Sequence, residues 1–271
     1  MAERSTEVDQ RVVLITGAGR GIGAASARAF AAAGYAVVAA DICEPIPALG
    51  YELASRAELD AVVADCEAVG AASFAVVADV RDQSQLDAAA AAAVDRFGGI
   101  DVTLAAAGVI AGGPVAWELS DEVWAANVDV NLTGVWRTAK AAIPAMMARP
   151  APRSGRFVAV ASAAGMGGHP AIAAYCAAKH GVVGLVRSLA ADLGASGVTA
   201  NAVCPGSTDT AILRASGEVY RLASVENFAA HHPIGRILEP EEVARAVLWL
   251  AAAEAGGVTG AMFAVDGGMT I

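Results

Sequence analysis

The apolar run Val12-Val13-Leu14-Ile15 leads through Thr16 into Gly17-Ala18-Gly19-Arg20-Gly21-Ile22-Gly23, and this junction restricts the fold more than any other stretch of the chain. A continuous apolar run suits a strand buried on both faces of a parallel sheet. Residues 24–33 have helix-forming composition and stop at Gly34, a residue suited to the turn after a helix, before residues 36–40 read as a second strand ending at Asp41. Strand, glycine turn, helix and strand make one βαβ unit. The glycines permit a tight turn and let a pyrophosphate approach the free N–H groups of the helix N-terminus. A bare GxGxxG match is weak evidence; the order of elements around it gives it weight. Asp41 stands about 20 residues beyond the loop, where a carboxylate accepts hydrogen bonds from ribose hydroxyls and repels a 2′-phosphate. NAD is therefore expected rather than NADP. Arg20 is the counter-signal, because a guanidinium at this loop can pair with that phosphate, although it can equally cap a surface or meet the pyrophosphate.

The alternation continues. Residues 74–78, 102–106, 157–161, 199–203 and 262–265 read as strands, and residues 83–97, 121–147 and 173–193 as helical, with Pro144 inside the second of these helical stretches. Strands alternating with helices along a whole chain predict an α/β fold, a Rossmann-like, doubly wound parallel sheet with helices on both faces. At 271 residues without an evident linker, a single domain over residues 11–271 is expected behind a loose polar tail, 1–10. Two segments exceed a minimal unit. Residues 42–56 contain Pro45, Pro47 and Gly50 and read as an insertion loop, followed by a helix from about Ala57 that Ser55 and Glu58 can open as a capping box. Residues 207–233 follow a strand end at Pro205-Gly206 and have weak periodicity, which suits a substrate lid at the C-terminal edge of the sheet. Asp79-Val80, closing the third strand, can reach an adenine, with a helix N-cap the alternative for Asp79.

Composition excludes several classes. With 56% hydrophobic and 17% charged residues the chain has ample apolar surface for a core. A formal net charge of −10, with scattered Lys and Arg, disfavours nucleic acid. Apolar stretches are interrupted well before the ~20 residues that span a bilayer. Cys43, Cys66, Cys176 and Cys204 form no CxxC pair and follow no leader, so reduced thiols in a cytoplasmic protein without a metal site are expected.

Tyr175 and Lys179, spaced i, i+4 in a predicted helix, project from one helix face. A phenol titrating near 10 is a poor base at neutral pH, and a nearby ammonium is expected to favour its phenolate. Lys179 can also hydrogen-bond a nicotinamide ribose. Ser162, just beyond the 157–161 strand, can donate to a substrate oxygen where negative charge develops, or simply cap a turn.

These residues together resemble the short-chain dehydrogenase/reductase family over nearly the entire chain. Thr16-Gly17-xxx-Gly21-x-Gly23 is similar to its cofactor motif and Tyr175-xxx-Lys179 to its active-site motif, with Ser162 thirteen residues before the tyrosine and Asn131, in Val130-Asn131-Leu132-Thr133-Gly134, at its fourth catalytic position. The resemblance implies that Asn131 supports a water-linked proton relay to Lys179. It also implies that Pro205-Gly206, followed by Thr208 and Thr210, holds a nicotinamide carboxamide. Where the family reads Asn-Asn-Ala-Gly this chain has Ala105-Ala106-Ala107-Gly108, so altered packing is expected there, with Gly108 still a cofactor contact. A narrower resemblance, carried by Asp41-Ile42-Cys43-x-Pro45 and Tyr51-Glu52-Leu53, is to the mycofactocin-coupled, carveol dehydrogenase-like subgroup. It implies an insertion covering a retained NAD whose electrons leave to an external redox carrier. Family resemblance further implies a homotetramer built through residues 121–147, 175–193 and 258–268.

His169, His231 and His232 lack the carboxylate pattern of a metal site, and the pair at 231 and 232, in the presumed lid, is expected on exposed surface, with a place lining the substrate mouth as the alternative. Trp117, Trp124 and Trp136 suit packing against helices or a partner subunit. The leading functional expectation is an NAD-dependent dehydrogenase for a hydrophobic, terpenoid- or steroid-like secondary alcohol or its ketone. The alternatives are an NADPH-dependent 3-oxoacyl-thioester reductase, supported by Arg20 and opposed by Asp41, and a non-catalytic nucleotide-binding protein.

Overall fold

The computed structural model describes residues 10–271. The tail expected over residues 1–10 therefore lies, Gln10 excepted, outside the described residues. Seven strands form one parallel sheet in the order β3-β2-β1-β4-β5-β6-β7: β1 (Val12–Thr16), β2 (Ala36–Asp41), β3 (Ser73–Val77), β4 (Val102–Ala105), β5 (Gly155–Val160), β6 (Val198–Pro205) and β7 (Met262–Val265). Among the described residues eight α-helices join them: α1 (Gly21–Ala32), α2 (Arg56–Ala68), α3 (Gln83–Phe97), α4 (Asp121–Val128), α5 (Gly134–Ala148), α6 (Ala173–Leu193), α7 (Ala211–Val219) and α8 (Pro240–Ala251).

The uninterrupted apolar run of β1 serves two cores. Val12 and Leu14 face one, with Ala139 and Met146 of α5 and Val182 and Val186 of α6. Val13 and Ile15 face the other, with Phe30 of α1, Leu59 and Val62 of α2, and Val247 and Leu250 of α8. A strand covered by helices on both sides has no polar face to offer, which is why no alternation is visible in it. The chain builds outward from β1 through β2 to β3 and then returns by α3 to β4 on the other side of β1, so a crevice opens at the carboxyl ends of β1 and β4.

Several boundaries differ from expectation for local reasons. Helix α1 begins at Gly21, inside the glycine loop, because the glycines form its first turn. The 121–147 stretch is two helices joined by a π-turn over Asp129–Thr133 rather than one. The predicted capping box at α2 is present, with the Ser55 N–H donating to Glu58 Oε2 at 2.6 Å and the Glu58 N–H to Ser55 Oγ at 3.2 Å. The expected lid loop is partly helical, containing α7 and a 3₁₀ turn, Val225–His231. Helix α8 escaped the sequence reading, although Glu239-Pro240 with Glu242 opens it with a second capping box and a proline at its start.

Candidate active site

The crevice is a single cleft of about 620 Å³, running from Asp41 at the end of β2 to Tyr175 on α6. At the nucleotide end, Gly17 (φ +70°) lies so close to the β4 exit that a Cβ would sit 2.6 Å from Ala107 Cα. A Cβ on Gly23 would sit 2.0 Å from the Gly17 carbonyl oxygen, so this turn closes only with glycine. Arg20 precedes α1 without a side-chain cap, leaving the first-turn N–H groups to receive an anion. Gly21 and Ile22 line the same wall.

Asp41 is 8% exposed and accepts the Gly19 N–H at 2.9 Å on Oδ2. Burial raises its pKa above the usual 3.8, while hydrogen bonds from the backbone of Gly19, Ile42 and Cys43 and the Arg20 charge oppose the rise. Such a carboxylate, held on the rim of the glycine loop, is set to accept ribose hydroxyls. The Arg20 guanidinium donates to the Glu52 carbonyl of the insertion, so the counter-signal for a 2′-phosphate is engaged as a tie for that loop. Asp79 and Val80 also line the cleft, but Asp79 is not a helix N-cap: its carboxylate is forked by Arg81 at 2.6 Å, and Asp82 caps α3.

At the other end the catalytic candidates converge from three elements. Ser162, following β5, accepts the Ala164 N–H at 3.1 Å and also hydrogen-bonds the Tyr175 hydroxyl, so the turn cap and the site role coexist in one side chain. Lys179, 3% exposed, donates to the Val160 carbonyl at 2.8 Å, and its Nζ lies 5.6 Å from the Tyr175 ring centre. The expected depression of the phenol pKa is not found. Burial pushes Tyr175 up to about 12 against the opposing pull of Ser162, and burial also pushes Lys179 down to about 8. In a pocket this dry, desolvation of each charged form dominates.

Asn131 sits in the π-turn, where the regular backbone ladder is broken. Its Nδ2 donates to the Asn127 carbonyl at 2.9 Å and to the Val109 carbonyl at 2.9 Å, while Oδ1 accepts the Val109 N–H at 3.0 Å. Asn127, one turn earlier and unremarked in the sequence, likewise donates to the Ala111 carbonyl at 3.0 Å. Side-chain amides on a helix thus brace the β4 exit beside the alanines of 105–107. Asn131 Oδ1 and Lys179 Nζ meet over Gly108, lying 3.2 and 3.7 Å from where its Cβ would be.

Pro205 ends β6 and Gly206 follows it on the cleft wall. Thr208 Oγ1 donates to the Gly206 carbonyl at 3.0 Å, and Thr210 Oγ1 donates to the Thr208 carbonyl at 3.2 Å while capping α7. His232 corrects an expectation: only His231 is exposed, whereas His232 is 3% exposed and its Nε2 accepts the Ser207 N–H at 3.0 Å. Its burial follows from the turn after 3₁₀ residues Val225–His231, which folds the lid's end back onto β6. Tyr51 was quoted only as part of a motif, yet it reaches the cleft from the insertion and accepts the Ile110 N–H at 2.9 Å. Among the described residues no group of three or more metal-capable side chains exists, and no helix is long and apolar enough to cross a membrane.

Residues 17–270 match the family described as enoyl-(acyl carrier protein) reductase. The chain is 36% identical to (-)-trans-carveol dehydrogenase of Rhodococcus erythropolis, over 97% of this chain and 99% of that one. It belongs to the short-chain dehydrogenase/reductase family. Another short-chain dehydrogenase/reductase relative, a 3-oxoacyl-[acyl-carrier-protein] reductase of Synechocystis, is 38% identical over 98% of this chain and 99% of its own. The crystal structure of carveol dehydrogenase from Mycobacterium avium in complex with NAD superposes with a TM-score of 0.91 at 31% identity, covering 97% of this chain and 98% of that one.

Proposed function

We propose that the protein is an NAD-dependent oxidoreductase that interconverts a hydrophobic, terpenoid- or steroid-like secondary alcohol and its ketone. The observation that carries this reading is that the buried Asp41 carboxylate and the Ser162-Tyr175-Lys179 set occupy opposite ends of one cleft. The relatives named carveol dehydrogenase, one of them holding NAD, support the same assignment.

The residues fit the nucleotide. Gly17, Arg20, Gly21, Ile22 and Gly23 would receive its pyrophosphate end, Asp41 its adenosine ribose, Asp79 and Val80 its adenine, and Gly108, Pro205, Gly206, Thr208 and Thr210 its nicotinamide half. When bound, NAD supplies the hydride acceptor. The chain's own part is proton handling: in the ketone-to-alcohol direction the neutral Tyr175 phenol gives its Oη proton to the carbonyl oxygen, in the reverse direction its phenolate takes the proton of the alcohol hydroxyl, Ser162 Oγ orients that oxygen, and Lys179 supplies positive charge behind the phenol. Asn131 holds the Val109 backbone in place and faces Lys179 across Gly108, which supports the proton relay implied by resemblance.

The insertion over the cleft supports a retained NAD and delivery of electrons to an external carrier of the mycofactocin type. Exposed Trp124, Trp136, Trp249 and Phe263, on α4, α5, α8 and β7, support a homotetramer. A cytoplasmic location accords with free cysteines at all four positions. The 3-oxoacyl-thioester reductase reading retains a relative of that name, but Arg20, its sole residue-level support, is bonded to Glu52.

Mass analysis of nucleotide released on denaturing the purified protein tests cofactor identity and retention together. NAD is expected at near-stoichiometric amount; NADP, or tighter binding of NADP than NAD, would defeat the reading. A Tyr175→Phe variant is expected to lose about 10²–10⁴-fold in turnover while keeping its nucleotide.

A further inference from the structure

The insertion between β2 and α2 does more than lie over the nucleotide end. Ile42, Ile46, Leu49 and Leu53 pack with Val80 and Val109 beside Asp41. Tyr51, only two residues from Leu53, joins a different cluster, with Tyr175, Ile110, Ile172 and Ala215. One segment therefore contributes to both halves of the cleft. Its phenol is held at the tip by the Ile110 N–H and at the neighbouring residue by Arg20 on the Glu52 carbonyl. An aromatic ring fastened this way keeps one rotamer and presents a fixed surface next to the catalytic tyrosine.

We propose that Tyr51 is a specificity-determining residue, forming the insertion-side wall of the substrate chamber and setting the size of alcohol that reaches Tyr175. The proposal rests on the oxidoreductase reading and adds a substrate contact from a segment otherwise concerned with the nucleotide. Of the remaining members outside the Ser, Tyr and Lys set only Tyr220, at the end of α7, is as bulky, so Tyr51 is the one large side chain that the insertion brings to this cluster beside the catalytic tyrosine. Truncation to alanine opens ring-sized space beside Tyr175. Phenylalanine keeps the wall and loses only the Ile110 bond.

The test compares wild type, Tyr51→Ala and Tyr51→Phe, each with its nucleotide content measured by mass. Binding of cyclohexanol, a decalin alcohol and a 3-hydroxysteroid is read by thermal shift, and turnover with an artificial electron acceptor is followed in parallel. Tyr51→Ala is expected to shift the affinity ratio of the bulkiest to the smallest alcohol by about tenfold or more toward the bulky one, the scale on which pocket volume discriminates. Tyr51→Phe is expected to keep the wild-type ratio within about twofold. A ratio unchanged in Tyr51→Ala overturns the proposal, as does an equal loss of affinity for all the alcohols, which marks a merely structural role, or failure of the wild type to bind any of them. Size-ordered binding without turnover by the wild type would defeat the oxidoreductase reading and leave the wall standing.

Discussion

The Lys179 ammonium donates to the Val160 carbonyl at 2.8 Å, and this bond ties the helix that carries Tyr175 to the strand that precedes Ser162. The three catalytic candidates thereby keep a fixed relation without any direct contact between lysine and phenol. The arrangement is expensive in stability, because a buried ammonium without a carboxylate is poorly solvated and its pKa falls to about 8.

A Lys179→Met variant is therefore expected to lose turnover while gaining stability relative to wild type at neutral pH. The folded pKa lies below the unfolded value of 10.5. Between the two the unfolded chain binds more protons, so wild-type stability rises with pH from about 8 to 10.5. Methionine has no such dependence. Melting both proteins from pH 7 to pH 10.5 should show the variant's advantage greatest below pH 8 and shrinking above it; a gap that does not change with pH would refute the account.

Asp41→Asn should weaken NAD far more than it disturbs the fold. Loss of charge-assisted bonds to ribose hydroxyls removes about 1.5–3 kcal/mol, roughly 10- to 150-fold in affinity, and the repulsion of a 2′-phosphate disappears with the charge. Because burial raises the pKa of this carboxylate, the wild-type charge costs stability at neutral pH and the neutral amide relieves that cost. Titration calorimetry with both nucleotides on nucleotide-stripped protein should show the NAD preference narrowing sharply. An undiminished preference would mean that the discrimination lies elsewhere.

Much of this was legible in the chain because the governing signals are local. The Val12–Thr16 run, the glycines after it and the Ser55/Glu58 box each specify their structure within a few residues, and Tyr175 with Lys179 needs only helical spacing. Ser162 at the end of its strand reads equally as a site donor or a turn cap, and Asn131 rests on resemblance alone, since a lone serine or asparagine has many ordinary uses. What escaped depends on contacts distant in sequence. Tyr51 meets Ile110 across 59 positions and His232 meets Ser207 across 25, and neither partner carries a motif. The wrong expectation for the phenol pKa has the same origin: helical spacing reveals which charges are neighbours but not how dry their surroundings are.

Asn131→Ala tests whether the amide's bracing is separable from proton transfer. The substitution strands the buried Val109 N–H and carbonyl and removes one bond to the Asn127 carbonyl, and each unsatisfied buried group costs about 1–3 kcal/mol before relaxation. A loss of about 3 kcal/mol in urea unfolding is expected, together with slower turnover. Asn131→Asp keeps an acceptor for the Val109 N–H and should recover part of the stability but not the two donated bonds. If alanine is tolerated within about 0.5 kcal/mol, a range usual for surface sites, the β4 exit does not depend on this side chain.

His232 gives the protein a pH dependence at the far end of the lid. Its Nε2 accepts the Ser207 N–H, so that nitrogen must be unprotonated, which leaves the proton of the neutral ring on Nδ1. Burial lowers its pKa below 6.5, opposed by the Asp266 charge and by a hydrogen bond to the Arg236 backbone, while the His231 and Arg236 charges add to the lowering. The unfolded chain then takes up a proton at higher pH than the folded one. The stability is complete above pH 6.5 and is lost as pH falls through the folded value, when protonation puts a hydrogen on each ring nitrogen and breaks the bond to Ser207. A His232→Gln variant keeps an acceptor within reach of Ser207 and does not titrate. Melting temperatures from pH 7.5 to pH 5 should therefore fall more steeply for wild type than for the variant, and NAD release, for which the adjoining Pro205-Gly206 segment is a proposed cofactor contact, should accelerate over the same interval only in wild type. Parallel curves for the two proteins would remove His232 from this role.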